Sequence, residues 1–248
     1  MFKMFSFLHA KNKPLPIFES LGTDMHCHLV PGVDDGSNSA ELSISCLKQL
    51  SALGFKQLYI TPHFQYPRFN NDEADIQDRY AVLKQQAEQA GVNIALQGVA
   101  GEYRIDDRFA QRVADRRFLR IAGKYVLVEL SLHQPRMGTA EAIYGLQETG
   151  CEVIMAHPER YPYLSLNSAI FEQLKNQDVF FQVNILSLTG FYGERARRIG
   201  YGLIERGWVE FLGTDTHNDV YIHMLTRASH DRKLQKLLDK CEFMNCKL

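Results

Sequence analysis

The chain has 248 residues, of which 45% are hydrophobic, so it can bury the core of one enzyme-sized α/β domain. Its 28 Lys and Arg residues balance 29 Asp and Glu residues, which excludes the strongly basic surface that draws a protein to nucleic acid. The five cysteines are an odd number without zinc-ribbon spacing or a secretory signal before them, which predicts a reducing, cytoplasmic compartment.

The first ten residues are apolar but too few to span a membrane, and Lys11 and Lys13 follow them. We therefore predict no integral membrane segment, and a short amphipathic start that touches a membrane surface is the alternative. No repeat, low-complexity run or linker interrupts the sequence. The simplest prediction is one domain over residues 1–248, with residues 1–20 as an N-terminal extension.

Seven short apolar or β-branched runs have the length and flanking residues of strands. Longer stretches with helical spacing lie between them: Leu42, Leu47 and Leu50 share one helical face, and Gly54 ends that pattern. Residues 70–89 are polar enough for a largely exposed helix. Strands that alternate with helices predict parallel pairing, in a closed barrel or an open doubly wound sheet. The seven predicted strands are residues 21–29, 57–62, 92–103, 125–131, 152–157, 179–186 and 210–214.

The first predicted strand ends with two histidines, His26 and His28, separated by Cys27. Alternation along a strand directs both imidazoles to one face, close enough to share a metal ion, while Cys27 points away. An isolated pair of this kind is equally compatible with histidines that are hydrogen-bonded in a core or exposed at random. The other strand ends are therefore needed to decide between the two interpretations.

Metal-binding residue types follow almost every predicted strand, which favours the barrel, because a barrel collects its chemistry from many strand ends. Glu129 lies between Val128 and Leu130, and burying its charge would cost several kcal/mol without a cationic partner. The further candidates at strand ends are His63, Glu102, Glu129, His157, Asp215 and His217.

Five histidines and at least three carboxylates exceed the needs of one ion, so the sequence predicts two or three divalent ions. Nitrogen and oxygen ligands without thiolate favour manganese, iron or zinc, with cobalt as a further alternative, and such clusters suit the hydrolysis of phosphate esters. In the turn from Pro31 to Ser37, we favour Asp35 as a ligand or partner of a metal-bound water and Asp34 as a turn or cap residue.

Two arginines are candidates for gripping phosphate oxygens in a bidentate manner. Arg160 lies three residues after His157, although a surface ion pair with Glu159 would also explain it. Arg136, in the loop beside His133, is a weaker candidate, and for it a surface role is favoured slightly.

The motifs resemble those of the polymerase-and-histidinol-phosphatase (PHP) superfamily, and within it the manganese-dependent bacterial tyrosine phosphatases of capsule and exopolysaccharide loci. The resemblance covers nearly the whole chain. Two strings, D-M-H-C-H-L-V-P-G-V-D-D-G-S from Asp24 and A-H-P-E-R-Y from Ala156, are specific to that branch. The strings T-P-H-F, G-E-Y and G-T-D-T-H-N are typical of the superfamily.

The resemblance implies a distorted seven-stranded (β/α)7 TIM-like barrel with up to three Mn²⁺ ions, and with Arg160 in contact with phosphate. It further implies a partner, the phosphotyrosine tail of a bacterial tyrosine kinase that acts as a polysaccharide co-polymerase. The family's second arginine after Asn218 is missing, and His223, Arg227 or Arg136 are possible substitutes. The implied ligands are His26, His28, Asp35, His63, Glu102, Glu129, His157, Asp215 and His217.

The predicted function is hydrolysis of phosphotyrosine by metal-activated water, with Arg160 stabilising phosphate oxygens, Asp35 acting on the water and His217 or His223 as a proton donor. No cysteine is followed six residues later by an arginine, which excludes the cysteine-dependent phosphatase loop. The alternatives are a small-molecule phosphatase of the histidinol-phosphate type, or a non-catalytic regulator that binds a phosphopeptide. A nuclease or amidohydrolase on a similar barrel comes after these, and the neutral charge counts against the nuclease.

Overall fold

The computed structural model describes residues 13–248. The predicted membrane-contacting start, and most of the predicted N-terminal extension, lie outside the described residues. Within the remainder of that extension, Phe18 is fully buried and its ring stacks on Phe55 at 5.1 Å. Phe18 thus attaches this part of the chain to the domain.

Each of the seven predicted strand regions contains a strand, and all pairings between strands are parallel. There are two additional short strands: one begins at His63, directly after the second predicted region, and one begins at Glu102, near the end of the third. The strands are β1 (Thr23–Asp24), β2 (Gln57–Ile60), β3 (His63–Phe64), β4 (Ala95–Val99), β5 (Glu102–Arg104), β6 (Tyr125–Glu129), β7 (Glu152–Ala156), β8 (Phe180–Asn184) and β9 (Phe211–Gly213).

The strands form two sheets, with orders β1-β2-β4 and β3-β5-β6-β7-β8-β9. Backbone hydrogen bonds from Ala100 to Ile60 (2.8 Å) and from Glu102 to Pro62 (3.0 Å) continue the pairing across the gaps between β2 and β3 and between β4 and β5. A parallel bridge between Cys27 and Thr216 joins the chain after β1 to the chain after β9. The pairing therefore runs around a ring, as predicted for a distorted seven-stranded α/β barrel rather than an open sheet.

The helices follow the strands and cover the outside of the ring. A 3₁₀ turn, Pro158–Arg160, follows β7. The α-helices are α1 (Ala40–Ala52), α2 (Glu73–Gln89), α3 (Phe109–Asp115), α4 (Thr139–Gln147), α5 (Ala169–Asn176), α6 (Ile185–Leu188), α7 (Gly193–Glu205), α8 (Asp219–Ala228) and α9 (Arg232–Lys240). No helix among residues 13–248 is long and apolar enough to cross a membrane.

Helix α1 shows how the local sequence specifies these elements. Ser39 caps its first turn by accepting a hydrogen bond from Leu42 N, and Leu47 and Leu50 are buried on its inner face. The helix ends at Ala52, and Gly54 follows two residues later. The φ of Gly54, +106°, favours glycine, and a Cβ there would approach the backbone of Pro16 and Glu19 to 2.8 Å. This glycine therefore permits the N-terminal segment to lie against the helix.

The two faces of the strands meet different cores. Val126, Val128 and Met155 contact the larger cluster, which also contains the buried residues of the helices. The alternate residues Tyr125 and Leu127 belong to a smaller cluster inside the ring. Glu129 continues this inward series at the carboxyl end of β6. The inside of the barrel is thus apolar along most of its length and polar at the carboxyl ends of the strands.

Candidate metal centre

The carboxyl ends of the strands bring together eight of the nine predicted ligands. His63 and His217 retain 12% side-chain exposure, whereas the other six are nearly or completely buried. His63 and Glu102 begin β3 and β5, Glu129 ends β6, and the remainder follow β1, β7 and β9. The eight residues are His26, His28, His63, Glu102, Glu129, His157, Asp215 and His217.

Their nitrogen and oxygen atoms form four overlapping groups, in each of which three ligand atoms lie within 4.8 Å of one another. Shared members connect the groups, so the centre is continuous. Such overlap is the arrangement that several ions with bridging ligands require. The groups are His28, His63 and His217; His26, His28 and Glu102; His26, His157 and Asp215; and His63, Glu102 and Glu129.

Several buried atoms in this centre lack a hydrogen-bond partner. Glu102 Oε2 lies 3.0 Å from His63 Nδ1 and 3.3 Å from His28 Nε2, yet none of these approaches has the geometry of a hydrogen bond. His63 Nδ1 and His157 Nδ1 are likewise without a partner. A buried polar atom without a hydrogen-bond partner destabilises the folded protein unless an ion or a water molecule binds it. Divalent cations fit this donor set of imidazole and carboxylate atoms.

Hydrogen bonds to the Nδ1 atoms of three histidines orient their rings toward the centre. His28 Nδ1 donates to Asp34 Oδ2 at 2.8 Å, and His26 Nδ1 donates to Gln182 Oε1 at 2.8 Å. His217 Nδ1 donates to the backbone carbonyl of Asp215 at 2.8 Å. In each ring this directs Nε2 into the centre, where His26 Nε2 and His28 Nε2 lie 3.2 Å apart, and an Nε2 that faces an ion is the arrangement common among histidine ligands of metals.

The acid–base properties of the centre also favour cations. Burial raises the pKa values of Glu102 and Asp215, but neighbouring histidines outweigh it and hold both well below the usual range. Burial lowers the pKa of His63, but Glu102 and Glu129 outweigh it and raise this pKa to about 10. In the absence of metal, protons on the histidines thus balance the negative charge of the carboxylates. The centre is one that attracts positive charge.

His217 differs from the other histidines. Burial, followed by the nearby His28, lowers the pKa of His217 to about 4, so the ring is neutral at pH 7. Its Nδ1 proton is engaged by the carbonyl of Asp215, so Nε2 carries no proton. His217 is therefore better suited to bind a metal than to act as the proton donor that the sequence suggested.

Two residues of the centre have left-handed backbone conformations, which non-glycine residues adopt rarely. His157 has φ 34° and Asp215 has φ 53°. His157 directly follows the last residue of β7, and Asp215 lies two residues after the end of β9. The left-handed conformation turns the chain at these points, where it leaves the barrel. Strain of this kind typically costs about 1–3 kcal/mol and concentrates at functional sites.

A cavity of about 250 Å³ opens above the centre, and Arg160 forms part of its wall. The guanidinium donates from Nη1 to Asp215 Oδ2 at 2.6 Å and lies 4.3 Å from the centroid of the Tyr192 ring. Its side chain is 19% exposed. Asp215, and not Glu159, thus holds Arg160 against the centre, and the guanidinium is still accessible to an anion in the cavity. That Arg160 binds phosphate stays a prediction.

Comparison with known proteins agrees with this geometry. Residues 22–234 match the family described as "Capsular polysaccharide synthesis, CpsB/CapC". The chain belongs to the CpsB/CapC family. It is 28% identical to CapC of Staphylococcus aureus over 223 residues, which are 88% of this chain and 86% of that protein. It is 28% identical over 220 residues to the tyrosine-protein phosphatase YwqE of Bacillus subtilis (strain 168), which are 88% of this chain and 84% of YwqE.

Solved structures support the fold of this CpsB/CapC family member. A structure from the work on YwqE of Bacillus subtilis and CpsB of Streptococcus pneumoniae, called metal-dependent tyrosine phosphatases, has a TM-score of 0.78 at 22% identity. The similarity covers 91% of this chain and 94% of that one. The lactonase Lmo2620 of Listeria monocytogenes shares the fold more distantly, with a TM-score of 0.56 at 14% identity over 94% of this chain and 97% of the lactonase.

The two aspartates of the loop after His28 differ in position. Asp35, the ninth predicted ligand, is 39% exposed, and its Oδ1 lies 3.5 Å from His63 Nε2 and 3.7 Å from His217 Nε2. Asp34 caps the turn, as predicted, by accepting a hydrogen bond from Gly36 N at 2.9 Å. Its other oxygen orients His28, a contribution that the turn interpretation did not include. Asp35 thus borders the centre from the cavity, and Asp34 supports it from behind.

Two predicted substrate-binding residues are not among those that line the cavity. Arg136 donates to Asp107 Oδ1 at 3.0 Å and lines a different cavity, beside α4. His223 lies on α8 two residues after Tyr221, and Tyr221 is the residue of that pair that reaches the cavity. Residues two apart on a helix point in very different directions, which explains the exclusion of His223.

Several site residues were not predicted from the sequence. Gln182 and Asn184 project inward from β8, where Gln182 binds His26 and Asn184 Nδ2 donates to Asp215 Oδ2 at 2.8 Å. Their alternation at the carboxyl end of a strand was a signal that could have identified them. Arg104 was also missed, because its approach to the cavity depends on the pairing of β5 with β6.

Proposed function

We propose that this protein is a metal-dependent protein-tyrosine phosphatase that hydrolyses phosphotyrosine with metal-activated water. The observation that carries the proposal is that His63 and His157, which have unpartnered ligand atoms, line one cavity together with the accessible guanidinium of Arg160. Divalent cations held by these ligands, together with Arg160 in the cavity wall, would suit the binding of a phosphate dianion. Relatives named tyrosine-protein phosphatases, such as YwqE and CpsB of Streptococcus pneumoniae, which is 25% identical over 201 residues, support the choice of substrate.

The proposed ligands comprise the eight residues of the centre together with Asp35. Their four overlapping groups are sufficient for two or three ions. Mn²⁺ is the metal we propose, because imidazole and carboxylate ligands without thiolate suit it, and iron, cobalt and zinc are the alternatives to be compared. Within residues 13–248, none of the residues that form these four groups is a cysteine.

When bound, the divalent ions would lower the pKa of a water molecule and offset the charge of the phosphate. Arg160 would bind phosphate oxygens with the guanidinium N–H groups that do not face Asp215, and it would stabilise the charge of the transition state. Asp35, exposed beside His63 and His217, is positioned to accept a proton from the attacking water. Phenolate is a fair leaving group, so the lack of a proton on His217 Nε2 does not prevent the reaction.

The proposed physiological substrate is the phosphotyrosine tail of a bacterial tyrosine kinase that controls polysaccharide synthesis. The family to which the chain belongs is described by capsular polysaccharide synthesis, and this supports the proposal. The cavity is open to a side chain presented on a peptide, and its wall contains Leu132 and Tyr221 beside the charged groups. The cytoplasmic location stays a prediction from the cysteines.

The experiment is phosphate release by metal-stripped protein after separate addition of manganese, iron, cobalt or zinc. The substrates are a phosphotyrosine peptide and histidinol phosphate. Glu102→Gln removes the central ligand, and Arg79→Gln, on the exposed face of α2, is the matched control. We expect peptide turnover with manganese in the wild type and in the control but not in Glu102→Gln.

Two other outcomes would overturn the proposal. Turnover of histidinol phosphate alone would identify a small-molecule phosphatase. Binding of the peptide without phosphate release, with metals bound, would identify a non-catalytic regulator.

A further inference from the structure

A second arginine, Arg104, reaches the cavity from the barrel itself. The parallel register of β5 and β6 places Arg104 beside Glu129, at the carboxyl end of both strands. Arg104 also lies two residues after Glu102, so alternation directs both side chains to the inner face. The strand pairing therefore fixes a cation at the rim of the centre.

The hydrogen bonding of Arg104 leaves its terminal groups available. Its Nε donates to Glu129 Oε1 at 3.1 Å, and within residues 13–248 its two Nη groups make no hydrogen bond. The side chain is 16% exposed and lines the same cavity as Arg160. Because a guanidinium has five N–H donors in one plane, Arg104 can bind Glu129 with one edge and an anion with the other.

Three arginines line the cavity, and each is paired with a different carboxylate. Arg68 contacts Asp35 at 3.3 Å but is 62% exposed, on the loop after β3. Arg160 contacts Asp215, beyond the end of β9, from the turn after β7. Arg104 is held on a strand at another part of the ring. Arg104 and Arg160 are thus the two restrained guanidiniums, and they approach the cavity from different strands.

The start of α8 offers no such cation. The first turn of α8 follows His217, and its residues Asp219, Val220 and Tyr221 include no basic side chain. Tyr221 lies against the His217 ring with centroids 5.1 Å apart. A dianion in the cavity therefore finds its second restrained arginine on β5 rather than on α8.

We infer that Arg104 is a substrate-binding residue that supplies, with Arg160, the second guanidinium for the phosphate of a phosphomonoester. The inference rests on the proposed phosphatase function and assigns the anion contacts of that same site. It differs from a purely structural role, in which Arg104 would only neutralise Glu129.

The test measures binding of inorganic phosphate to manganese-saturated protein by calorimetry, together with the affinity for manganese and with KM and kcat for an aryl phosphate. The variants are Arg104→Gln, Arg104→Lys and the surface control Arg79→Gln. Loss of a charged hydrogen-bonding partner should weaken phosphate binding about ten- to hundredfold in Arg104→Gln, with a similar rise in KM. Arg104→Lys should be intermediate, because lysine keeps the charge but loses the fork.

Two results with the variants would contradict the inference. The inference is wrong if Arg104→Lys binds phosphate with wild-type affinity. It is also wrong if Arg104→Gln binds phosphate with wild-type affinity but binds manganese more weakly, because Arg104 would then only neutralise Glu129. If Arg104→Gln does not fold, the lysine variant alone decides. A wild type that binds phosphate but hydrolyses no phosphotyrosine peptide would remove the proposed function without removing the anion site, whereas a wild type that binds no phosphate would overturn the inference itself.

Discussion

Replacement of Asp34 should weaken the metal centre although Asp34 is not itself a proposed ligand. Asp34 Oδ2 accepts hydrogen bonds from His28 Nδ1 at 2.8 Å and from His63 N at 3.0 Å, and Oδ1 accepts one from Gly36 N. Asparagine has one acceptor oxygen for these three donors. In its better orientation it keeps the two bonds at the Oδ2 position and directs its NH₂ group at Gly36 N.

The expected magnitude follows from these contacts. Asp34→Asn keeps an acceptor for His28 but loses the negative charge and the bond to Gly36, whereas Asp34→Ala loses all three bonds. A hydrogen bond to a charged group contributes about 1.5–3 kcal/mol, which is roughly a ten- to hundredfold change in affinity. This agrees with the usual effect of residues that orient histidine ligands, about 10–100-fold. Asp34→Asn should lie near the lower bound and Asp34→Ala near the upper.

Calorimetric titration of metal-stripped protein with Mn²⁺ measures the effect, and kcat/KM for a phosphotyrosine peptide should decrease in parallel. Asp35→Asn is the informative comparison, because Asp35 is 39% exposed and borders the centre from the cavity. We expect that variant to reduce turnover more than it reduces affinity for the buried ions. Unchanged manganese affinity in both Asp34 variants would refute the reasoning and return Asp34 to a turn residue.

Three further predictions concern protons, metal and anion. In metal-stripped protein, burial lowers the pKa of His63, but Glu102 and Glu129 outweigh it and raise this pKa from 6.5 to about 10. The resulting stability is complete below pH 6.5 and lost as pH approaches 10, so thermal melts of stripped protein should show a decreasing Tm over that range, whereas manganese affinity should increase because ions displace protons. A chelator should lower Tm by about 5–10 °C relative to protein with Mn²⁺ at about 100 times its Kd; an unchanged melt would argue against a bound ion. Arg160→Lys should lower kcat/KM for the peptide about ten- to hundredfold, and full activity in steady-state assays would exclude bidentate binding by Arg160.

Most of the proposed ligands could be predicted from the sequence because local rules determine their positions. His26 and His28 lie on either side of Cys27 just beyond β1, His63 follows β2 closely and begins β3, and Glu129 ends β6. The carboxyl ends of parallel strands meet at one edge, so the metal-binding residue types collect there whatever the details of pairing. The seven strand regions and the barrel were predictable for the same reason, and both are confirmed.

The residues behind the ligands were harder to predict, because their positions depend on long-range geometry. Arg104 meets Glu129 only because β5 and β6 pair in one register, and a shift by one residue would direct Arg104 to the helices. Asp34 reaches His28 because the loop folds back so closely that a Cβ on Gly36 would lie 2.2 Å from the carbonyl oxygen of His28. Neither contact has a signature in the local sequence.

The roles of Asp215 illustrate how the anion site and the metal centre depend on each other. Its Oδ2 accepts hydrogen bonds from Arg160 and Asn184, while its Oδ1 lies 3.3 Å from His28 Nε2 and 3.4 Å from His26 Nε2. Arginine and asparagine therefore prevent the carboxylate from turning away and leave Oδ1 for the centre. Glu129, held by Arg104, is restrained in a comparable way. Because the arginines that face the cavity also position the carboxylates of the centre, substitution of either arginine is expected to affect both anion and metal, and only separate measurement of phosphate and manganese binding distinguishes the two effects.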